Sequence, residues 1–172
     1  MLSLLAVSCS ALFGQSDFSL RRGYKGHVEA GYTVGTGQVQ YGRSSVMTTH
    51  GYQFNPYFFA GAGLGWQYFN EISDHVVSPL LHMRASYPVG RVAPFFDFKG
   101  GVGTGDASGA FISPAVGCRI GLSERVGLSL TIGYELQKKV SDPNLYVVSA
   151  ILPVVEHKFD AHGIAFRLGI DF

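Results

Sequence analysis

The last ten residues of the chain alternate strictly. Ile164, Phe166, Leu168, Ile170 and Phe172 share one parity, and Ala165, Arg167, Gly169 and Asp171 share the other. A repeat of two is the period of a β-strand, whose successive side chains point to opposite faces. One face of this strand is wholly apolar and the other carries small residues and charges. The same pattern recurs along the chain in blocks of about ten to thirteen residues separated by turn signals, the length a strand needs to cross a bilayer. It predicts eight strands, over 23–35, 42–54, 57–69, 77–87, 93–103, 110–122, 126–138 and 163–172. No segment has a helical period.

The alternation places Phe58, Ala60, Ala62, Leu64, Trp66 and Tyr68 on one face of the third strand, with Gly61, Gly63, Gly65 and Gln67 behind them. Leu128, Leu130, Ile132, Tyr134 and Leu136 do the same in the seventh. The second strand alternates least well, because His50 falls among Val46, Thr48, Tyr52 and Phe54. Pro114 interrupts the sixth. A closed sheet has no free edge to absorb its missing donor, so it is expected in the outer rim. Turn signals such as Asn55-Pro56 and Pro88-Val89-Gly90 follow the even strands. The connections after the odd strands are expected to be longer, with 139–162 the longest. Aromatic residues then sort into two belts. Tyr24, Phe54, Tyr57, Phe58, Tyr87, Phe95 and Phe172 lie at the short-turn end, and Tyr32, Tyr41, Trp66, Tyr68 and Tyr134 toward the other. Two such belts anchor membrane barrels at their interfaces.

Alternation alone does not say which face is inside. A soluble carrier barrel of the lipocalin kind is apolar within and polar without. The glycines favour the opposite arrangement. Gly61, Gly63, Gly65, Gly101, Gly117, Gly121 and Gly133 share the face of the charges. Inside an eight-stranded barrel, which side chains just fill, they make room for Arg84, Arg119 and Arg167. On a solvated surface so much glycine only weakens strands. An Arg or Lys on a lipid face at mid-membrane costs about 2–4 kcal/mol, and this register puts none in the strand centres. The expected fold is therefore an all-β, eight-stranded, antiparallel, up-and-down transmembrane barrel, with the lipocalin-like carrier as the alternative.

Composition agrees. Of 172 residues, 23 are Gly, and charged residues make up only 15% against a usual share of about 25%. The net charge of +1 gives no basis for a nucleic-acid partner. Two cysteines, Cys9 and Cys118, make no disulfide framework. Residues 1–14 read as a secretory signal, lacking a basic residue before the apolar run, and 15–172 as the barrel domain. Ala6-Val7-Ser8-Cys9 faintly matches a lipoprotein cleavage box.

Candidate chemistry lies on the inner face: Lys25, His27, Glu29, His82, Arg84, Asp97, Lys99, Arg119, Glu135, Arg167 and Asp171. Such a set serves either as a salt-bridged plug, in which buried charges satisfy one another, or as an ion path or catalytic site. The plug is the simpler expectation. The six histidines have no metal-ligand spacing, and Gly61-Ala62-Gly63-Leu64-Gly65 opens no helix and is not a phosphate cradle. No metal, cofactor or catalytic residue is expected. One stretch stands out in the longest connection: Leu145, Tyr146, Val147, Val148, Ile151, Leu152, Val154 and Val155. An exposed apolar run marks a contact surface, through which a surface ligand could add a strand. The simpler expectation is that the run pairs with extensions of the neighbouring strands; folding onto the barrel rim, or being a strand in its own right, are the other readings.

Tyr24-Lys25-Gly26-His27-Val28-Glu29-Ala30-Gly31-Tyr32, Tyr52-Gln53-Phe54-Asn55-Pro56-Tyr57-Phe58 and the terminal Phe172 resemble the small porin-like outer-membrane β-barrels of Gram-negative bacteria, similar in plan to OmpX and the OmpA transmembrane domain. The resemblance spans residues 23–172. It implies a bacterial outer-membrane location with both termini periplasmic, outer-membrane lipid around the barrel, and recognition by the outer-membrane assembly machinery. Ile170 and Phe172 fit that machinery's terminal signal, although Arg167 stands where the signal usually has Gly. The expected role is structural or interactive, through extracellular loops and without enzymatic activity. A small pore and a lipid-modifying enzyme are the alternatives.

Overall fold

The computed structural model describes residues 21–36, 42–70, 74–104, 109–123, 125–141 and 158–172. The leader at 1–14, Cys9, Tyr41 and the apolar run at 145–155 lie outside the described residues. Eight strands form where the alternation predicts them: β1 (Gly23–Thr36), β2 (Arg43–Asn55), β3 (Phe58–Phe69), β4 (Asp74–Ser86), β5 (Val92–Gly103), β6 (Gly109–Gly121), β7 (Gly127–Ser141) and β8 (Lys158–Asp171). Each pairs antiparallel with its sequence neighbours, and β8 returns to β1 to close the barrel. Stepping from partner to partner, Gly23 leads through Gln53, Phe59, Arg84, Asp97, Ala115, Gly133 and Ala165 to Thr33, ten residues further along β1. A stagger of that size on eight strands tilts them by about 40° from the axis.

The last residue extends the closing seam by one further pair. The Gly26 amide donates to the Phe172 carbonyl at 2.8 Å, and the Phe172 amide donates back at 2.9 Å. The Phe172 ring lies over Gly26, where a β-carbon would come within 2.6 Å of it. Glycine on this outer position leaves room for the terminal aromatic to lie flat over the seam.

Exterior and interior have opposite chemistry. Outward positions carry Val, Leu, Ile, Phe and Tyr, with Leu168 54% and Leu130 64% exposed. Among the described residues, twenty-two buried side chains are polar or charged and only eleven are apolar. Met47, Leu80 and Phe111 form a small apolar cluster inside. Soluble monomers rarely expose apolar patches larger than a few hundred Å², and here the apolar residues encircle the molecule. This is a transmembrane barrel, and the lipocalin-like arrangement is inverted. Even His50, a polar residue on the lipid face, is served locally. Its Nδ1 lies 2.6 Å from the Tyr24 hydroxyl and its Nε2 3.1 Å from that of Thr48.

Four expectations are corrected. Phe95 is not in the aromatic belt; it is buried, as its parity with Asp97 requires. Pro114 does not sit in the rim. It lies mid-strand opposite Phe98, facing outward, and the β6–β7 ladder skips from Ile112↔Leu136 to Ala115↔Gly133 around it. One interrupted ladder is the local cost of the missing donor. The longest connection is 142–157 and not 139–162, because β7 and β8 continue past an irregularity between Gln137 and Val140 to pair Ser141 with Lys158. Nor do lengths alternate cleanly. Connections 56–57, 87–91 and 122–126 lie at the termini end, and 37–42, 70–73, 104–108 and 142–157 at the far end. Only 37–42 and 142–157 exceed the longest at the termini end.

Candidate functional site

The interior polar residues come from all eight strands, each placed inward by parity. They gather into two clusters at different heights.

The cluster nearer the termini is built around Arg84 of β4. Directly across the β4–β5 hairpin stands Asp97. The guanidinium grips it with two bonds, Nε to Oδ1 at 2.7 Å and Nη2 to Oδ2 at 2.9 Å. Such two-pronged Arg–carboxylate contacts fix geometry as well as charge. The remaining donors cross the lumen. Nη2 reaches Glu29 of β1 at 3.1 Å, and Nη1 reaches Asp171 of β8 at 3.1 Å. The guanidinium lies 3.9 Å over the Phe95 ring, so the aromatic residue moved out of the belt supports the hub. Lys99 bridges Glu29 at 2.7 Å and Asp97 at 3.1 Å. Arg119 meets Asp171 at 2.9 Å. His27 Nδ1 lies 2.8 Å from Asp171, and His82 is held between the Thr49 hydroxyl at 2.9 Å and Asp97 at 3.2 Å. Phe59 and the two imidazoles pack as a triangle, each ring edge-on to the other two. Three buried cations thus face three buried carboxylates. A carboxylate deprived of water costs several kcal/mol unless paired, and each of these three touches at least two cations.

The second cluster, toward the far end, centres on Glu135 of β7. It accepts from the Thr33 hydroxyl at 2.7 Å, from the Gln67 amide and from Arg167 Nη2 at 3.1 Å. Arg43 Nε lies 3.6 Å away. Arg167 also donates to Ser113 at 2.8 Å.

The structure therefore brings Glu29, His82, Arg84, Asp97, Lys99 and Arg119 together in one network, with His27 and Asp171. Glu135 and Arg167 belong to the other. Lys25 is only half-buried and stands at the edge of the first, near Asp171 and Arg119. Arg43 was missed in the sequence although it is 1% exposed. Its signal was present: it shares parity with Ser45, Thr49 and Gln53, opposite Val46 and Tyr52. Gln67, Thr33 and Ser113 were passed over because neutral residues do not announce a partner.

The glycines are tied to the long chains. A β-carbon on Gly127 would lie 2.5 Å from the Arg119 guanidinium, on Gly117 2.5 Å from the Phe95 ring, and on Gly169 2.8 Å from Glu29 Cγ. Thr49, His82 and Asp97 stand in the hydroxyl–imidazole–carboxylate order of a nucleophile relay. His82, however, is fully buried among Phe59, His27 and the Arg84 network, where it serves to satisfy Asp97. Among the described residues, no three His, Cys, Asp or Glu converge as a metal site.

No protein-family model matches the chain, and no curated protein sequence matches it. Solved structures do. The crystal structure of Neisserial surface protein A (NspA) superposes with a TM-score of 0.63 at 9% identity, covering 86% of this chain and 95% of that one. The solution structure of the de novo designed TMB2.3 superposes with a TM-score of 0.53 at 18% identity, covering 88% and 94%. At such identities the likeness is one of fold: the chain is built as a small eight-stranded transmembrane barrel.

Proposed function

We propose that the protein is an integral barrel of a Gram-negative outer membrane that acts at the cell surface through its far-end connections, with a closed lumen and both termini in the periplasm. The observation that carries this reading is the Arg84 network. Ion pairs from β1, β4, β5, β6 and β8 meet across the lumen near the termini end, so the interior is filled rather than open. A plugged barrel offers chemistry only at its two ends. An even strand number puts both termini at one end, with the two-residue turn at 56–57. The other end carries the sixteen-residue connection 142–157, which includes the apolar run at 145–155. Long loops of outer-membrane barrels face outward and short turns face the periplasm. Ile170 and Phe172, exposed at the end of β8, supply the terminal signal for the assembly machinery, and outer-membrane lipid covers the belt. A partner at 145–155 fits a role in surface interaction better than one in transport or lipid chemistry.

Protease added to intact cells tests the orientation. Cleavage is expected within 142–157, leaving two fragments that stay together in the folded barrel. Full protection of that connection, with cutting only after the outer membrane is permeabilised, would contradict it. Steady single-channel steps from the purified protein in planar bilayers would instead favour the pore.

A further inference from the structure

The two ends of the barrel differ in charge. The far-end connections 37–42, 70–73, 104–108 and 142–157 hold Glu71, Asp106, Asp142 and Glu156 and no Lys or Arg. The termini end is basic. Arg91 and Arg125 stand in its turns, Arg21 and Arg22 just before β1, and all four are exposed. Outside the lumen, the acidic side chains that the sequence sets at this end are Asp17 and Glu124. Arg22 marks the height of the basic collar. Its guanidinium lies 5.9 Å from the centre of the Tyr52 ring, which is on the outer face. An Arg beside an outward aromatic residue at a membrane edge holds its charge at the level of the headgroups.

Next to this collar the exterior is concave. An open groove of about 460 Å³ is cut into the outer face of β4, β5 and β6. The register explains it. Ala85 pairs with Phe96 and Phe96 with Val116. One step nearer the end, the Tyr87 amide donates to the Pro94 carbonyl at 2.8 Å. The two compact side chains, Ala85 and Pro94, therefore share a diagonal, and the exposed rings of Tyr87 and Phe96 stand at the other two corners. The turn 87–91, which ends in Arg91, joins the two strands at the headgroup end of the groove.

We propose that the termini end binds an anionic glycerophospholipid of the surrounding leaflet, with its phosphate at the Arg collar beside Arg91 and one acyl chain in the groove. Charge selects the headgroup. Exposed basic side chains at a membrane surface attract anionic lipid, and the acidic connections at the far end repel it. Shape selects the chain. A groove in the lipid-facing belt, lined by Ala85, Tyr87, Pro94, Phe96 and Val116, meets hydrocarbon rather than water. The proposal rests on the transmembrane barrel and depends neither on the surface role nor on which side of the membrane the termini lie.

The test is native mass spectrometry of the folded barrel released from micelles that contain equal amounts of phosphatidylglycerol and phosphatidylcholine. The wild type is expected to retain phosphatidylglycerol over phosphatidylcholine by about fivefold, the ratio that one basic side chain at a charged surface supplies. The double variant Arg22→Gln, Arg91→Gln is expected to fall toward parity. Ala85→Trp, which fills the groove and leaves the collar intact, is expected to retain less lipid of both kinds. Lys158→Gln, at the far end, should match the wild type. All four side chains lie outside the ion-paired interior, and the shift in gel mobility on boiling shows whether each variant is folded. Equal retention of the two lipids by the wild type overturns the proposal, and this result needs no variant. An unchanged excess in the double variant, or unchanged retention in Ala85→Trp, overturns it as well.

Discussion

Replacing Arg84 by Ala is expected to lower the unfolding free energy of the barrel by about 3–5 kcal/mol, the usual cost of breaking a buried ion pair by removing one partner. The substitution takes one cation from Glu29, Asp97 and Asp171 at once, while all three stay buried. Lys99 and Arg119 remain, but among the described residues Lys99 pairs with Glu29 and Asp97, and Arg119 with Asp171. Arg84→Lys should recover part of the loss. A lysine is a single point charge and cannot repeat the two-pronged grip on Asp97 while spanning the lumen. Arg84→Met should fall near Ala, because volume is not what the site lacks. Urea titration of the refolded protein reads the effect through Trp66, the only tryptophan in the sequence, which stands on the exterior. A loss below about 1 kcal/mol, the scale of solvated surface pairs, would mean that the network is hydrated and that the lumen is not a plug.

The second large effect concerns the exterior. Leu168→Arg is expected to destabilise the barrel by about 2–4 kcal/mol in lipid, and Leu122→Arg by about 0–1 kcal/mol. Leu168 lies four residues before the terminal Phe172, opposite Ala30 at the middle of β1 and Leu130 on β7, where a guanidinium meets hydrocarbon. Leu122 follows the end of β6 in the connection at the termini end, where the charge can reach the interface. The measurement is the same urea titration, in vesicles. On a water-facing surface both substitutions would stay within about 0.5 kcal/mol. A flat response across the two depths would therefore reverse the assignment of inside and outside.

Much of this molecule was legible in its sequence because a barrel strand carries its own instructions. Parity alone placed Arg84, Asp97, Lys99, Arg119 and Glu135 on the same face as the glycines, and the structure puts all five inside. Errors arose where another argument displaced parity. Nearness to a turn argues for Phe95 in the aromatic belt, whereas parity with Asp97, two residues on, points it inward. The missing donor of Pro114 argues for the rim, whereas the sheet accepts a gap in one ladder. The alternation of β7 stops being readable at Lys138 and Lys139, where an irregularity shifts the register and the strand nonetheless continues. Partners within the network were illegible for a different reason. Arg84 and Asp97 are opposite each other on one hairpin, but Arg84 and Asp171 are 87 residues apart and meet only through the stagger of the closed sheet. No local pattern encodes that stagger. It is a sum over eight registers, and the meeting of Arg84 with Asp171 appears only once that sum is known.

The protein is a closed barrel with its apolar face in lipid. The most direct test is the mobility of the protein from the outer-membrane fraction in detergent gels, boiled against unboiled. Closed β-barrels have no open edge at which detergent can begin to strip the sheet. The unboiled sample should migrate as a compact band at a position distinct from the boiled one, and both should be recovered with the outer membrane. A single band, unmoved by boiling and found in the soluble periplasmic fraction, would contradict the account.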